Sequence, residues 1–248
     1  MPLDRVTLAR VPSQPVTVLC GDCREVIPTL PDGLVKLVLS DPPYGMDYRT
    51  NRTATKGPAI VGDGTIEDAA RLIDSILPDI QIVLDNDAWL YWFCGERLRS
   101  HLIQLHRQLR EFSPDYDELI WAKPIGSGDT TGQRYRPSYE RVLVFRKGEP
   151  RLSGHPGNLI WGDRPGKLSK IHSMQKELSG LAEMIEQATG PGDVILDPFA
   201  GSGSTAAAMC VLLPQSEWRK VILIEQDPEM CEQIVRRLSP YTEVAREI

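Results

Sequence analysis

The sequence predicts an α/β fold: a mostly parallel sheet with helices on both faces. Three observations lead there. Apolar, β-branched runs of strand length alternate with helical patterns along most of the 248 residues, the signature of a parallel sheet covered twice. Several of these runs stop at an acid or at a turn rich in Gly and Pro, as strands do when they deliver side chains to one sheet edge. Hydrophobic content of 41% and charged content of 25% are ordinary for a globular domain, and no apolar run reaches the length of a membrane span.

Taken in order, Val16 to Cys20 reads as a strand and Gly21-Asp22 as its turn. A short helix follows from Cys23, cut by Pro28. Val35 to Ser40 is a second, buried strand that delivers Asp41. The stretch 45–65 is polar, with little periodicity, and reads as a long functional or mobile loop. Glu67 to Asp85 has helical spacing, and Pro78 is expected to kink or end it. Ala88 to Phe93 is an aromatic strand, Glu96 to Arg110 a helix, and Asp117 to Ala122 and Tyr139 to Phe145 are strands. The segment 150–171 is irregular and basic, with Leu159-Ile160-Trp161 as its apolar run. Glu177 to Thr189 is an amphipathic helix, Asp193 to Asp197 a strand and Ala206 to Leu213 a helix. Val221 to Ile224 is a strand ending at Glu225, and Pro228 opens the last helix.

Composition narrows the function classes. Five cysteines, Cys20, Cys23, Cys94, Cys210 and Cys231, are odd in number and scattered. Cys20 and Cys23 form a C-x-x-C without a second pair or His cluster, so no metal site is expected and packing is their default role. A reducing cytoplasm fits this usage, and the first fifteen residues lack the basic-then-apolar pattern of a signal peptide. The net charge of −6 argues against a protein that coats nucleic acid by charge alone. Charge is nevertheless asymmetric, because the stretch from Lys123 to Lys176 is strongly basic. An acidic chain with a basic middle would suit a homodimer.

Two stretches carry chemistry. In Ser40-Asp41-Pro42-Pro43-Tyr44, Asp41 supplies a carboxylate, the prolines stiffen the turn so that carbonyls can point outward, and Tyr44 offers a flat face. Two acceptors and a stacking ring suit a planar base with an exocyclic NH2. In Asp197-Pro198-Phe199-Ala200-Gly201-Ser202-Gly203-Ser204-Thr205, glycines between strand and helix allow a tight turn and close approach to a ligand. No Lys stands where a phosphate-gripping loop needs one, while Glu225, one strand-helix unit on, can accept from both ribose hydroxyls. The Ser204 and Thr205 hydroxyls, with helix N–H groups, suit a carboxylate. Ribose plus an amino-acid carboxylate describes S-adenosylmethionine, and Asp22 at another strand tip is placed to accept from its adenine amine.

With the Asp41-Pro42-Pro43-Tyr44 turn before the Asp197 to Ser204 loop, the chain resembles the permuted beta class of S-adenosylmethionine-dependent DNA amino-methyltransferases. The resemblance runs from about Val16 to Leu238. It implies a seven-stranded Rossmann-like methyltransferase sheet in circularly permuted order, a single domain over 1–248. A mobile loop would occupy 45–65 and a small DNA-recognition segment about 124–171. The C-terminal strands at Val194 and Val221 should pair beside those at Val16 and Val35. Asp41, Pro42, Pro43 and Tyr44 are implied as catalytic. Asp22, Cys23, Asp41, His172, Lys176, Asp197, Pro198, Phe199, Gly201, Ser202, Gly203, Ser204, Thr205, Glu225 and Gln226 are implied at the cofactor. Arg49, Arg52, Lys56, Arg134 and Arg136 are candidates for duplex DNA. Two departures stand out: Glu177 follows Lys176 where the family usually has Pro, and Ser204-Thr205 stands where two threonines are common.

The implied reaction is methyl transfer to a base amine. Adenine N6 is favoured over cytosine N4, because the family tends to use Asp at the first catalytic position for adenine. The absence of a Pro-Cys pair argues against ring-carbon methylation. RNA or protein glutamine amines are rival substrates, and a non-catalytic cofactor- or DNA-binding subunit is the rival of another class.

Overall fold

The computed structural model describes residues 15–43, 64–122, 135, 138–161 and 178–247. The elements are, in chain order, β1 (Val16–Cys20), α1 (Cys23–Val26), β2 (Val35–Ser40), α2 (Ile66–Val83), β3 (Leu84–Cys94), α3 (Glu96–His106), β4 (Asp117–Ala122), β5 (Tyr139–Lys147), β6 (Leu159–Trp161), α4 (Leu178–Ala188), β7 (Val194–Asp197), α5 (Ser204–Leu212), β8 (Lys220–Glu225), α6 (Pro228–Leu238) and β9 (Val244–Glu247). They form one sheet in the lateral order β6-β4-β5-β3-β2-β7-β8-β1-β9. Every neighbouring pair is parallel except the two made by β5. All strands but β5 therefore end at the same edge.

The expected pairing of C-terminal with N-terminal strands is present. β7 lies against β2, with Leu37 opposite Ile195, and β8 lies against β1, with Cys20 opposite Glu225. The strand number differs from expectation: nine among the described residues, not seven. The two additional strands, β6 and β9, are the sheet edges and have three and four residues. An edge strand needs a ladder on one side only, so it can be short and carry charges or exposed side chains. Leu159–Trp161 is an apolar run of only three residues and Val244–Glu247 is half charged, so neither has the length of apolar sequence that marks a buried strand.

Pro78 does not end α2, which continues through it to Val83. A proline inside a helix costs about 3 kcal/mol through one lost hydrogen bond and a ring clash. Ile73, Ile76, Leu77 and Ile80 of the same helix are all buried. Burial of each such side chain is worth roughly 1.5–3 kcal/mol, so packing outweighs the break. The end of the helix is held by Lys147 of β5, whose Nζ donates to the carbonyls of Gln81 and Leu84, both at 2.9 Å. A cation at a helix C-terminus satisfies orphan carbonyls and complements the dipole.

Two apolar layers flank the sheet. One packs α1, α2 and α3 on side chains such as Val38, Leu90 and Phe145. The other packs α4, α5 and α6 on Leu37, Tyr91 and Trp121. The chain leaving β2 toward α2 thus goes to one face, and the chain leaving β7 toward α5 goes to the other. Adjacent parallel strands whose connections diverge in this way open a crevice at their carboxyl ends, the usual ligand site of such sheets.

His106 ends α3 inside the first layer. Its ring stacks on Phe145 at 4.0 Å and meets Phe112 edge-on at 5.5 Å. Neither ring nitrogen has a hydrogen-bond partner among the described residues. Burial, with a smaller contribution from Arg107, pushes its pKa down to about 4. The unfolded chain therefore binds this proton first, near pH 6.5, and the stability contributed by neutral His106 is lost as pH falls from there toward 4. A shift of this size corresponds to about 3 kcal/mol. Urea unfolding of the wild type and of His106→Leu at pH 7 and pH 4.5 should show the smaller acid loss in the variant.

Candidate active site

The sheet brings the two chemical stretches to one place. Ser40 ends β2 and Asp197 ends the adjacent β7, and the Ser40 hydroxyl donates to Asp197 Oδ1 at 3.1 Å. Thr205, in the first turn of α5, donates its hydroxyl to Asp197 Oδ2 at 2.6 Å. The Phe199 N–H donates to Oδ1 at 3.2 Å. Asp197 is 5% exposed, so these donors stand where water would otherwise be needed. The carboxylate ties three things together: the strand that carries Asp41, the turn Pro198–Ala200 and the start of α5.

The turn after β7 is held on each side. Ala200 N–H donates to Ile224 O at 3.0 Å, and Gly201 N–H donates to Glu225 Oε2 at 2.8 Å. Phe199 packs edge-on against Trp92 of β3, with ring centroids 6.3 Å apart. Gly203 has φ of 74°, and a Cβ there would lie 3.0 Å from Ile234 Cγ2 of α6. The backbone angle therefore favours glycine, and a Cβ would press on the Ile234 side chain. Among the described residues no side chain caps α5 at Gly203, and helix N-terminal N–H groups of this kind suit an anionic ligand.

Glu225 stands at the end of β8. Its Oε1 accepts from Asp227 N–H at 2.9 Å while Oε2 accepts from Gly201. Burial raises its pKa above the ordinary carboxylate value, and these N–H groups act in the opposite direction. Each carboxylate oxygen has a second lone pair, which leaves capacity for two further donors. Its main-chain oxygen accepts Gly21 N–H at 2.9 Å, which seats the turn after β1 beside it.

That turn carries Asp22, which caps α1 by accepting Arg24 N–H at 2.9 Å and also accepts from the Arg24 Nε at 3.0 Å. Hydrogen bonds from the Arg24 side chain hold its carboxyl below the usual range. Asp22 is thus an ionised acceptor at a strand tip, already orienting one guanidinium. Cys23 is buried, and burial pushes its thiol up to about 12, as for a packing residue rather than a nucleophile.

Asp41 and Pro43 are partly exposed beyond β2, and Pro42 is buried. Pro198 and Thr205 are buried, Gly201, Ser202 and Ser204 are partly exposed, and Gln226 is exposed. Tyr44, Arg49, Arg52, Lys56, Arg134, Arg136, His172 and Lys176 lie outside the described residues. Among the described residues no group of three or more His, Cys, Asp or Glu is placed to hold a metal, and no helix is long and apolar enough to cross a membrane. Two contributors were missed in the sequence. Ser40 precedes Asp41 within the quoted motif but was given no role, and its position at a strand end was the available signal. Arg237, which reaches the glycine-rich loop from α6, has no local signal at all.

The donor set fits a nucleoside carrying an amino acid. Glu225 offers acceptors for a diol, Asp22 an acceptor for an amine, and the start of α5 its N-terminal N–H groups for a carboxylate.

The comparisons agree with this geometry. The family described as DNA methylase, N6_N4_Mtase, matches residues 35–236, and the chain belongs to it. The putative methylase YubD of Escherichia coli (strain K12) is 30% identical over 189 residues, covering 76% of this chain and 77% of that protein. The crystal structure of the M1.HpyAVI–SAM complex superposes with a TM-score of 0.65 at 23% identity, covering 90% of this chain and 98% of the other. The PvuII DNA methyltransferase, described as cytosine-N4-specific, gives 0.66 at 15% identity, covering 94% and 97%. At these identities the structural likeness establishes the fold. The protein is a DNA methyltransferase of the class that modifies the amines of adenine or cytosine.

Thr205→Val keeps the shape of the side chain but removes a buried donor to Asp197. Loss of a hydrogen bond to a charged group is worth about 1.5–3 kcal/mol. Denaturant unfolding should show a loss in this range, whereas an unchanged midpoint would mean that the contact contributes nothing.

Proposed function

We propose that the protein transfers a methyl group from S-adenosylmethionine to the N6 amine of adenine in duplex DNA. The observation that carries the reading is the Ser40–Asp197 hydrogen bond, which joins the strand ending at Asp41 to the glycine-rich turn. A base-binding turn and a cofactor-binding turn on neighbouring strand ends can serve one reaction.

S-adenosylmethionine supplies a methyl group on a sulfonium, activated for displacement. The chain's own residues bind and orient. Glu225 holds the ribose hydroxyls and Asp22 the adenine amine. The N–H groups at the start of α5, with Ser204, and with His172 and Lys176, hold the methionine end. Asp41 and the Pro42 carbonyl each accept one N–H of the target amine. Amine nitrogen is a poor nucleophile while its lone pair is delocalised into the ring. Two acceptors placed off the ring plane favour a pyramidal nitrogen with its lone pair aimed at the methyl, and positioning supplies much of the rate. Tyr44 stacks on the base, which must leave the duplex to be reached. Arg49, Arg52, Lys56, Arg134 and Arg136 contact the DNA, chiefly its phosphates.

Adenine is preferred to cytosine because Asp41 stands at the first position of the catalytic turn. Single-turnover methylation of duplexes offering only adenine or only cytosine targets should label the adenine duplex. Label on the cytosine duplex alone would overturn the preference. Asp41→Ala should keep cofactor binding within about twofold and lose about 10²–10³-fold in turnover, the scale for one preorganised polar group at a reacting atom. Equal turnover in the variant and the wild type would remove Asp41 from the chemistry.

A further inference from the structure

The glycine-rich turn is gripped from behind by α6. Arg237, in the last turn of that helix, donates from Nη1 to Ser202 O at 2.6 Å and to Ser202 Oγ at 3.3 Å. Ser202 Oγ lies 3.2 Å from Ser204 Oγ, so with its lone pair engaged by Arg237 the Ser202 hydroxyl is free to donate onward. The next atom group along the chain, Gly203 N–H, donates to Ala200 O at 2.8 Å. Ser202 C=O and Gly203 N–H belong to one planar peptide unit and point in opposite directions. Arg237 therefore draws one end of that plane toward α6 while Ala200 holds the other. Ile234, one turn earlier, fills the space beside Gly203.

No carboxylate pairs with the Arg237 guanidinium among the described residues, and its Nη2 is buried without a hydrogen-bond partner there. A guanidinium taken from water without an ionic partner is costly, and burial accordingly lowers its pKa. Neighbouring Arg236 shows the ordinary alternative: it is 77% exposed and pairs with Glu232 one turn back at 2.9 Å. Stability of α6 alone does not account for a half-buried cation whose hydrogen bonds go to Ser202 of the loop.

We propose that Arg237 is a positioning residue for the cofactor: it turns the Ser202 carbonyl away from the ligand side of the loop. Without it, that peptide can rotate. A carbonyl oxygen then faces the carboxylate end of the ligand, and the N–H groups at the start of α5 lose their common direction. The inference rests on the cofactor reading of this loop. Arg237 makes no contact with the reacting atoms, so its effect falls on cofactor affinity rather than on the chemical step.

Calorimetric titration with S-adenosylmethionine and with S-adenosylhomocysteine, alongside steady-state kinetics and thermal unfolding, tests this. Arg237→Met should raise both dissociation constants and KM for the cofactor about tenfold, with kcat changed by about twofold or less. Arg237→Lys, which keeps a donor, should recover part of the loss, and Arg236→Met should leave affinity unchanged. Should Arg237→Met fail to fold, Arg237→Gln and Arg237→Lys are measured in its place, with the same ordering expected. A variant that melts earlier yet binds both ligands as tightly as the wild type overturns the proposal and leaves the cofactor reading standing. A wild type that binds neither ligand overturns both.

Discussion

A single buried carboxylate organises the site. Asp197 closes β7 at the seam with β2, and its charge is compensated by the Ser40 and Thr205 hydroxyls and the Phe199 N–H. A buried anion in apolar surroundings is tolerated only when its lone pairs are satisfied, so each donor is held as firmly as the carboxylate itself. Because the donors come from different elements, satisfying Asp197 also sets the position of the strand that leads into Asp41, the glycine-rich turn and α5.

The fold explains why this junction is a useful place for chemistry. Parallel strands collect carboxyl ends at one edge, and α2 and α5, which follow the neighbouring β2 and β7, lie on opposite faces of the sheet, the arrangement that marks a ligand site in such folds. Four neighbouring strand ends then contribute: Ser40 leads into Asp41, Asp197 supports the loop, Glu225 binds its Gly201 N–H, and the turn after Cys20 reaches back to Glu225. The carboxylates at this edge accept from N–H and O–H groups. Behind the loop, Ile234 and Arg237 of α6 give it a rigid backing.

Much of this was legible before any coordinates. Strands delivering Asp41, Asp197 and Glu225 were readable because buried parallel strands are continuous apolar runs, and the turns after them begin with residues that cannot continue a strand. The order of the two motifs specified which strands must be neighbours. The edge strands β6 and β9 were not legible, since the three apolar residues Leu159–Trp161 are too few to mark a strand and Val244–Glu247 is half charged. The passage of α2 through Pro78 was hidden because local propensity argued for a break, while the outcome depended on burial of Ile73, Ile76 and Ile80 against the sheet. The roles of Ser40 and Arg237 were hidden for a different reason. Each acts on a residue far away in sequence, 157 and 35 positions respectively, and only the folded chain makes them neighbours.

The account stands on the two turns facing one shared crevice. Its most direct measurement is a crystal structure of the protein with S-adenosylmethionine bound. The ribose hydroxyls are predicted on the Glu225 carboxylate, with the sulfonium methyl opening toward Asp41. A cofactor seated elsewhere, or with its methyl directed away from Asp41, would contradict it.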